Sequence, residues 1–211
     1  MKHLTTIILS FLCISGFSQK DADATVLLEE VSAKASACRS IKADFTYTMD
    51  NKQARIHETK TGTLIISGDK YRLMAAGQTV ICDGKIVWTY IRESNEVQIN
   101  DLENQDDAMT PSKLLTSYTA NYKSRVIEDS KVTDPSLEAI ELIPHSTKNF
   151  TKAILIINKK EKQVREFRLF DKNGNTFTYS VSKYQTDLPV SMTDFIFDES
   201  NFPGVEIIDM R

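Results

Sequence analysis

Ile41-Lys42-Ala43-Asp44-Phe45-Thr46-Tyr47-Thr48-Met49 decides how this chain is read. In extended backbone Ala43, Phe45, Tyr47 and Met49 fall on one side, and Lys42, Asp44, Thr46 and Thr48 on the other, the period of two that marks a half-buried strand. Just upstream the period changes. From Thr25 onward, Leu27, Leu28, Val31, Ala35 and Cys38 recur at helical spacing, with Glu29, Glu30, Lys34 and Arg39 on other faces. Asp21 and Asp23 read as caps at the positive end of that helix dipole. One amphipathic helix therefore hands the chain to a strand.

Downstream, strand-like runs follow closely at Arg55 to Ser67, Lys70 to Ala75, Thr79 to Cys82, Lys85 to Arg92 and Val97 to Asn100. Gly68-Asp69, Ala76-Gly77, Asp83-Gly84 and Glu93-Ser94-Asn95 separate them. Connections this short predict an antiparallel meander, because parallel strands need long crossovers. The acidic stretch Asp101 to Asp107 interrupts it, and Thr110-Pro111-Ser112 opens a short helix whose apolar side is Leu114, Leu115 and Tyr118. Strands resume at Tyr122 to Glu128, Leu137 to Ile143, Ala153 to Asn158, Gln163 to Phe170 and Thr176 to Gln185. The tail adds the strand-like runs Asp194 to Phe197 and Val205 to Met210. The expectation is a mainly β (α+β) protein: an incomplete antiparallel β-barrel of about eleven strands, with a helical lid over an apolar cavity. A sheet of this size must curl or be covered, and two helices cannot cover it fully.

The 211 residues carry 26 Lys+Arg against 29 Asp+Glu, a net charge of −3, which gives no electrostatic footprint for nucleic acid. Met1-Lys2-His3 followed by the apolar run Leu4 to Phe17 has the anatomy of a signal peptide. Gly16 and Ser18 suit a cut before Gln19, and the run is short of the roughly 20 residues that span a bilayer. The expected division is 1–18 as signal and 19–211 as one domain. Removing Cys13 leaves Cys38 and Cys82, either a disulfide worth ~3–4 kcal/mol in an oxidising compartment or two buried thiols.

Catalytic machinery is not visible. His57 and His145 have no metal-spaced partners, and there is no nucleophile elbow, H-E-x-x-H or phosphate-binding glycine loop. No enzyme activity, metal or cofactor is expected. The basic run Lys159-Lys160-Glu161-Lys162 with Arg165 and Arg168 reads either as a docking surface for an anionic partner or as a hairpin edge protected by lysines.

Ser40 to Phe45, Gly62-Thr63-Leu64, Asp83 to Tyr90, Thr110 to Leu115, Leu142-Ile143-Pro144, Phe195-Ile196-Phe197 and Pro203-Gly204-Val205 occur in an order and spacing that resembles the LolA family of lipoprotein carriers. The resemblance implies a periplasmic, monomeric carrier of acylated lipoproteins. It would load from an inner-membrane exporter and unload to an outer-membrane acceptor. The expected acyl-chain cavity is lined by Phe45, Tyr47, Met49, Leu64, Ile66, Leu73, Trp88, Tyr90, Phe167, Leu169, Phe177 and Tyr179, with Leu114, Leu115 and Tyr118 on the lid. Where the family commonly has a lid-holding arginine after Leu64, this chain reads Ile65-Ile66-Ser67-Gly68-Asp69-Lys70, leaving Lys70 or Arg72 as the substitute. The alternatives are a lipid-sensing regulatory module of the same fold and a carrier of another lipid.

Overall fold

The computed structural model describes residues 16–105, 122–146 and 149–211. The helix α1 (Gly16–Ala37) leads into β1 (Ile41–Asn51), β2 (Ile56–Ser67), β3 (Lys70–Ala75), β4 (Gln78–Cys82), β5 (Ile86–Ile91) and β6 (Glu96–Asp101). Then come β7 (Tyr122–Ile127), β8 (Leu137–Pro144), β9 (Phe150–Asn158), β10 (Gln163–Asp171), β11 (Thr176–Thr186) and β12 (Glu206–Asp209). The order across the single twelve-stranded sheet is β12-β6-β5-β4-β3-β2-β1-β11-β10-β9-β8-β7. It is an open antiparallel sheet that does not close into a barrel, β12 and β7 being its two edges.

Local chemistry sets the turns. At the β4–β5 hairpin the Asp83 Oδ1 accepts the amides of Lys85 and Ile86, each at 2.8 Å, and Gly84 sits at φ +97°, a conformation that favours glycine. This Asx turn fixes the pairing Cys82 with Val87, and so decides which face each residue of β5 joins.

Three expectations change. The helix starts at Gly16 rather than Thr25, and the Thr25 hydroxyl donates to the Asp21 carbonyl four residues back. Asp21 and Asp23 therefore lie within the helix and do not cap it. Asp194 and Phe195 belong to a 3-10 turn (Met192–Phe195) rather than a strand. Ser191 caps it, its side chain accepting from the Thr193 amide while Asp194 accepts from the Ser191 amide. Finally, β12 runs parallel to β6. Residues 187–205 carry the chain from β11 across the outer face to this edge, far from β6 in sequence, so no tight turn constrains the pair to be antiparallel.

The sheet has two faces of different character. On the inner face the row Ile41, Ile66, Tyr71, Cys82 and Val87 crosses five strands in register. Ala24, Leu27, Leu28 and Val31 of α1 pack there against Ile140, Leu142, Leu155, Ile157 and Phe167, while Ala35 in its last turn and Cys38 just after it join Ile41, Ile66 and Tyr71. A helix of 22 residues is ~33 Å long, enough to lie across several strands. The outer face is covered differently. Its β7–β10 end packs Ala139, Ile154 and Ile156 against Val132 of the β7–β8 loop, while its β3–β6 end lies under the 187–205 strap, whose Phe195 is 2% exposed.

Candidate functional site

Next to the helix, β1, β10 and β11 leave an aromatic ledge on the inner face. Register pairs Tyr47 with Tyr179 and Met49 with Phe177 across β1 and β11, and Phe167 with Tyr179 and Leu169 with Phe177 across β10 and β11. Tyr179 is the hub, with ring centroids 5.8 Å from Phe45, 5.2 Å from Tyr47 and 6.0 Å from Phe167; Tyr47 lies 6.3 Å from Phe177. These are aromatic contact distances. Phe45 and Phe167 are buried, whereas Tyr47, Met49, Leu169, Phe177 and Tyr179 are half-buried. Burial, and after it the neighbouring Tyr47, pushes the Tyr179 hydroxyl up to about 12. Burial followed by Glu58 raises Tyr47 as well. Both hydroxyls are neutral at physiological pH, so the rings carry no charge; opposite Tyr47 and Met49 on β2 stand Lys60 and Glu58, which pair with each other at 3.4 Å.

Gly62 makes the ledge possible at its β2 end. It pairs with Phe45, and a Cβ built there would overlap Phe45 Cζ and meet the Met74 carbonyl at 2.8 Å. The Phe45 ring thus lies over β2 where only hydrogen leaves room for it. Leu64, Ile66 and Leu73 continue the same face through the pairs Ala43 with Leu64, Ile41 with Ile66, and Leu64 with Leu73.

Of the residues expected from sequence to line the cavity, ten therefore share the inner face: Phe45, Tyr47, Met49, Leu64, Ile66, Leu73, Phe167, Leu169, Phe177 and Tyr179. Trp88 and Tyr90 do not join them. They pair with Ile81 and Thr79 on the outer face, where Tyr90 packs against Phe202 at 4.4 Å and its hydroxyl donates to Asn95 Oδ1 at 3.1 Å. Leu114, Leu115 and Tyr118 lie outside the described residues. The expected lid substitutes are also misplaced: Lys70 and Arg72 pair with Ser67 and Ile65 and so share the outer face, and Arg72 Nη1 donates to the Asp194 carbonyl at 3.2 Å.

Cys38 and Cys82 are free thiols rather than a disulfide, although they share one apolar cluster. The Cys38 Sγ donates to the Lys34 carbonyl at 3.3 Å, and the Cys82 Sγ accepts the Gly84 amide at 3.3 Å. Burial is the main reason both thiols titrate above the ordinary range. The basic run is largely spent on internal pairs. Lys162 meets Glu30 of α1, Arg165 meets Glu161, Lys159 meets Glu138 at 3.4 Å, and Lys34 of α1 donates to the Glu161 carbonyl at 2.5 Å. It fastens the helix to the β9–β10 turn.

Sequence reasoning missed the outer-face ion network. Arg168, 7% exposed, pairs with Asp129 at 2.5 Å and with Glu166, and Glu141, 5% exposed, takes Arg125 and Lys152. The signal was present as charge at outward positions of β8 and β10. Among the described residues no His, Cys or carboxylate group is arranged to hold a metal ion, and no helix is long and apolar enough to cross a membrane.

Comparison with known proteins agrees with this architecture. An uncharacterized conserved protein from Thermus thermophilus is 14% identical, with a TM-score of 0.57 over 89% of this chain and 99% of that one. A LolA superfamily protein from Nitrosomonas europaea is 11% identical, with a TM-score of 0.46 over 83% of this chain and 98% of that one. No curated protein matches the chain. The model of the family described as outer membrane lipoprotein carrier protein LolA matches residues 36–198, which takes in the ledge, the sheet from β1 to β11 and most of the strap. The chain belongs to the LolA family.

Proposed function

We propose that this protein is a periplasmic carrier that shields the acyl chains of lipoproteins and moves them from the inner to the outer membrane. The observation that carries this reading is the half-buried aromatic and aliphatic ledge of Tyr47, Met49, Leu169, Phe177 and Tyr179 beside α1. Family membership supports it. A lipid anchor of roughly forty methylenes, at ~0.8 kcal/mol each, is held in a membrane by about 30 kcal/mol, so it does not cross water unassisted. A carrier must offset that cost and still release its load. A non-directional apolar surface does both, whereas fixed hydrogen bonds would trap the chain. The ledge offers neutral rings and thioether carbon, with the Lys60–Glu58 pair of β2 at its border.

In this reading residues 1–18 direct export and are removed, an exporter loads the carrier and an outer-membrane acceptor empties it. A cut before Gln19 would keep Ala24, Leu27, Leu28 and Val31, the buried side of α1. The role is transport without catalysis. The test is to purify the protein from its native envelope, identify bound acylated protein by native mass spectrometry, and titrate it with a fluorescent acyl probe. Copurifying lipoprotein and a saturable probe signal are expected. A protein that carries nothing and leaves the probe unbound would overturn the reading.

A further inference from the structure

The outer face carries a feature separate from the inner ledge. On the outer face, between β1–β3 and the strap, lies a cleft of about 350 Å³, at the small end of ligand pockets. Its floor is one register row, Lys42 paired with Ile65 and Ile65 with Arg72, with Met74 one step along β3. Leu188, Pro189 and Val190 form its wall. The wall is pinned: the Ser40 hydroxyl, 2% exposed, donates to the Leu188 carbonyl at 2.7 Å, and Arg72 Nη1 donates to the Asp194 carbonyl.

The charges in this cleft are unbalanced. Among the described residues, Lys42 has no ion pair and no side-chain hydrogen bond, and Arg72 spends one N–H on a backbone carbonyl while meeting no carboxylate. Nearby acids are otherwise engaged. Asp194 accepts the Ser191 amide at 2.7 Å, Asp44 accepts the Thr63 hydroxyl at 2.8 Å, and Asp187 takes the Arg39 amide at 2.9 Å. Two cations and the lining carboxylate of Asp194 leave one positive charge over an apolar floor and wall.

We propose that this outer-face cleft is a second ligand site, for a monoanionic aliphatic carboxylate of medium chain length. Arg72 is oriented by the strap and presents its remaining N–H groups to the carboxylate, the planar pairing that guanidinium favours. Lys42 supplies the second charge, and Ile65, Met74 and Val190 take the chain. The residual charge of one selects a monoanion over a dianion, and the size of the cleft selects one chain over the several of a lipoprotein anchor. The site is independent of the ledge, which lies on the other face of the sheet.

Isothermal titration calorimetry with octanoate, octanol and octyl phosphate tests it. Octanoate should bind the full protein saturably, more tightly than octyl phosphate, and octanol roughly tenfold or more weakly. Lys42→Met, at a partly exposed position with no partner to strand, should weaken octanoate roughly fivefold or more. Met74→Glu should do the same by placing an anion beside the carboxylate. Phe177→Ser, which weakens the ledge as a competing acyl surface, should leave the Lys42-dependent octanoate affinity unaltered, with circular dichroism confirming that each variant is folded. Octanol binding as well as octanoate, octyl phosphate binding more tightly, octanoate affinity unaltered in Lys42→Met and Met74→Glu, or octanoate affinity lost in Phe177→Ser would each overturn the proposal. So would the absence of any heat of binding.

Discussion

The two ends of the sheet take their apolar covers from opposite sides. Toward β7–β10, α1 covers the inner face, and the outer face carries the buried ion network of Arg168, Asp129, Glu166 and Glu141. Toward β3–β6 the strap covers the outer face with Phe195, Phe197 and Phe202, while on the inner face Leu73 and Val80 are half-buried beside the buried Tyr71, Cys82 and Val87. The lesson is that a sheet twelve strands wide does not need one large second layer. Two covers placed on opposite faces bury apolar area at its two ends, and among the described residues Tyr47, Met49, Leu169, Phe177 and Tyr179 of the inner face stay half-buried beside α1.

Substitutions that remove one cover at a time break this comparison most sharply. Phe195→Ala empties a 2%-exposed aromatic site under the strap and should cost about 3–5 kcal/mol in urea unfolding, while leaving acyl-probe affinity close to wild type. Leu28→Ala, fully buried on α1, should cost about 2–5 kcal/mol and also weaken the probe, because the helix borders the ledge. If the two variants lose probe affinity equally, the faces are not functionally separate.

How much of this was legible in the sequence follows from the same two faces. The change of period at Ser40 and the turn residues at Ala76-Gly77 and Asp83-Gly84 placed α1 and the first six strands, because each signal is local. Ten inner-face residues were found because Phe45, Tyr47 and Met49 alternate with polar neighbours. Trp88 and Tyr90 went to the wrong side because β5 is apolar on both faces, Val87 inward and Trp88 outward, so alternation there names two sets without saying which is inner. Phe195, Phe197 and Phe202 were the missing clue. Three aromatics in the tail after β11 need an apolar surface, and β5 had a spare one. The thiol pair, the strap cleft and the ion network depend on register between strands distant in sequence, which composition does not carry.

A third prediction sharpens the comparison within the inner face itself. Gly62→Ala places a methyl where it would overlap Phe45 Cζ and stand 2.8 Å from the Met74 carbonyl. The ring can turn aside but the backbone of β3 cannot, so the cost should be about 1–3 kcal/mol, with Phe45 displaced toward Tyr179. The displaced ring narrows the ledge, and probe affinity should fall more than the stability loss at this site alone would suggest. A folded Gly62→Ala with unchanged probe affinity would separate Phe45 from the ledge.

The smallest effect concerns acid. Burial alone would raise the carboxyl of Glu141, but the hydrogen bonds and charges of Lys152 and Arg125 overrule it and hold Glu141 below its ordinary range. Asp129 is likewise lowered, the Lys131 amide and Arg168 outweighing its burial. A carboxyl whose folded pKa lies below its unfolded value stabilises the fold above the unfolded value, and that contribution drains away as pH falls through the folded one. Stability should therefore decline on acidification from about pH 5 downward, the region where model carboxylates begin to protonate. Glu141→Gln removes one such titrating carboxyl without removing the bulk of the side chain. Arg125 and Lys152 are half-exposed and remain hydrated in that variant, so the cost at neutral pH is modest. The gap in Tm between wild type and Glu141→Gln should therefore be largest near pH 7 and close as the pH drops toward 3. The ledge's ligand-facing groups are neutral rings and aliphatic carbons, and the one carboxylate beside them, Glu58 opposite Met49, lies outside the outer-face network, so probe affinity should not follow the curve set by Glu141 and Asp129 until the fold itself gives way. A gap that stays constant across that range would mean that Glu141 binds its proton alike in both states, and that the ion network is ornament on the outer face rather than part of what fastens β7, β8 and β9 together.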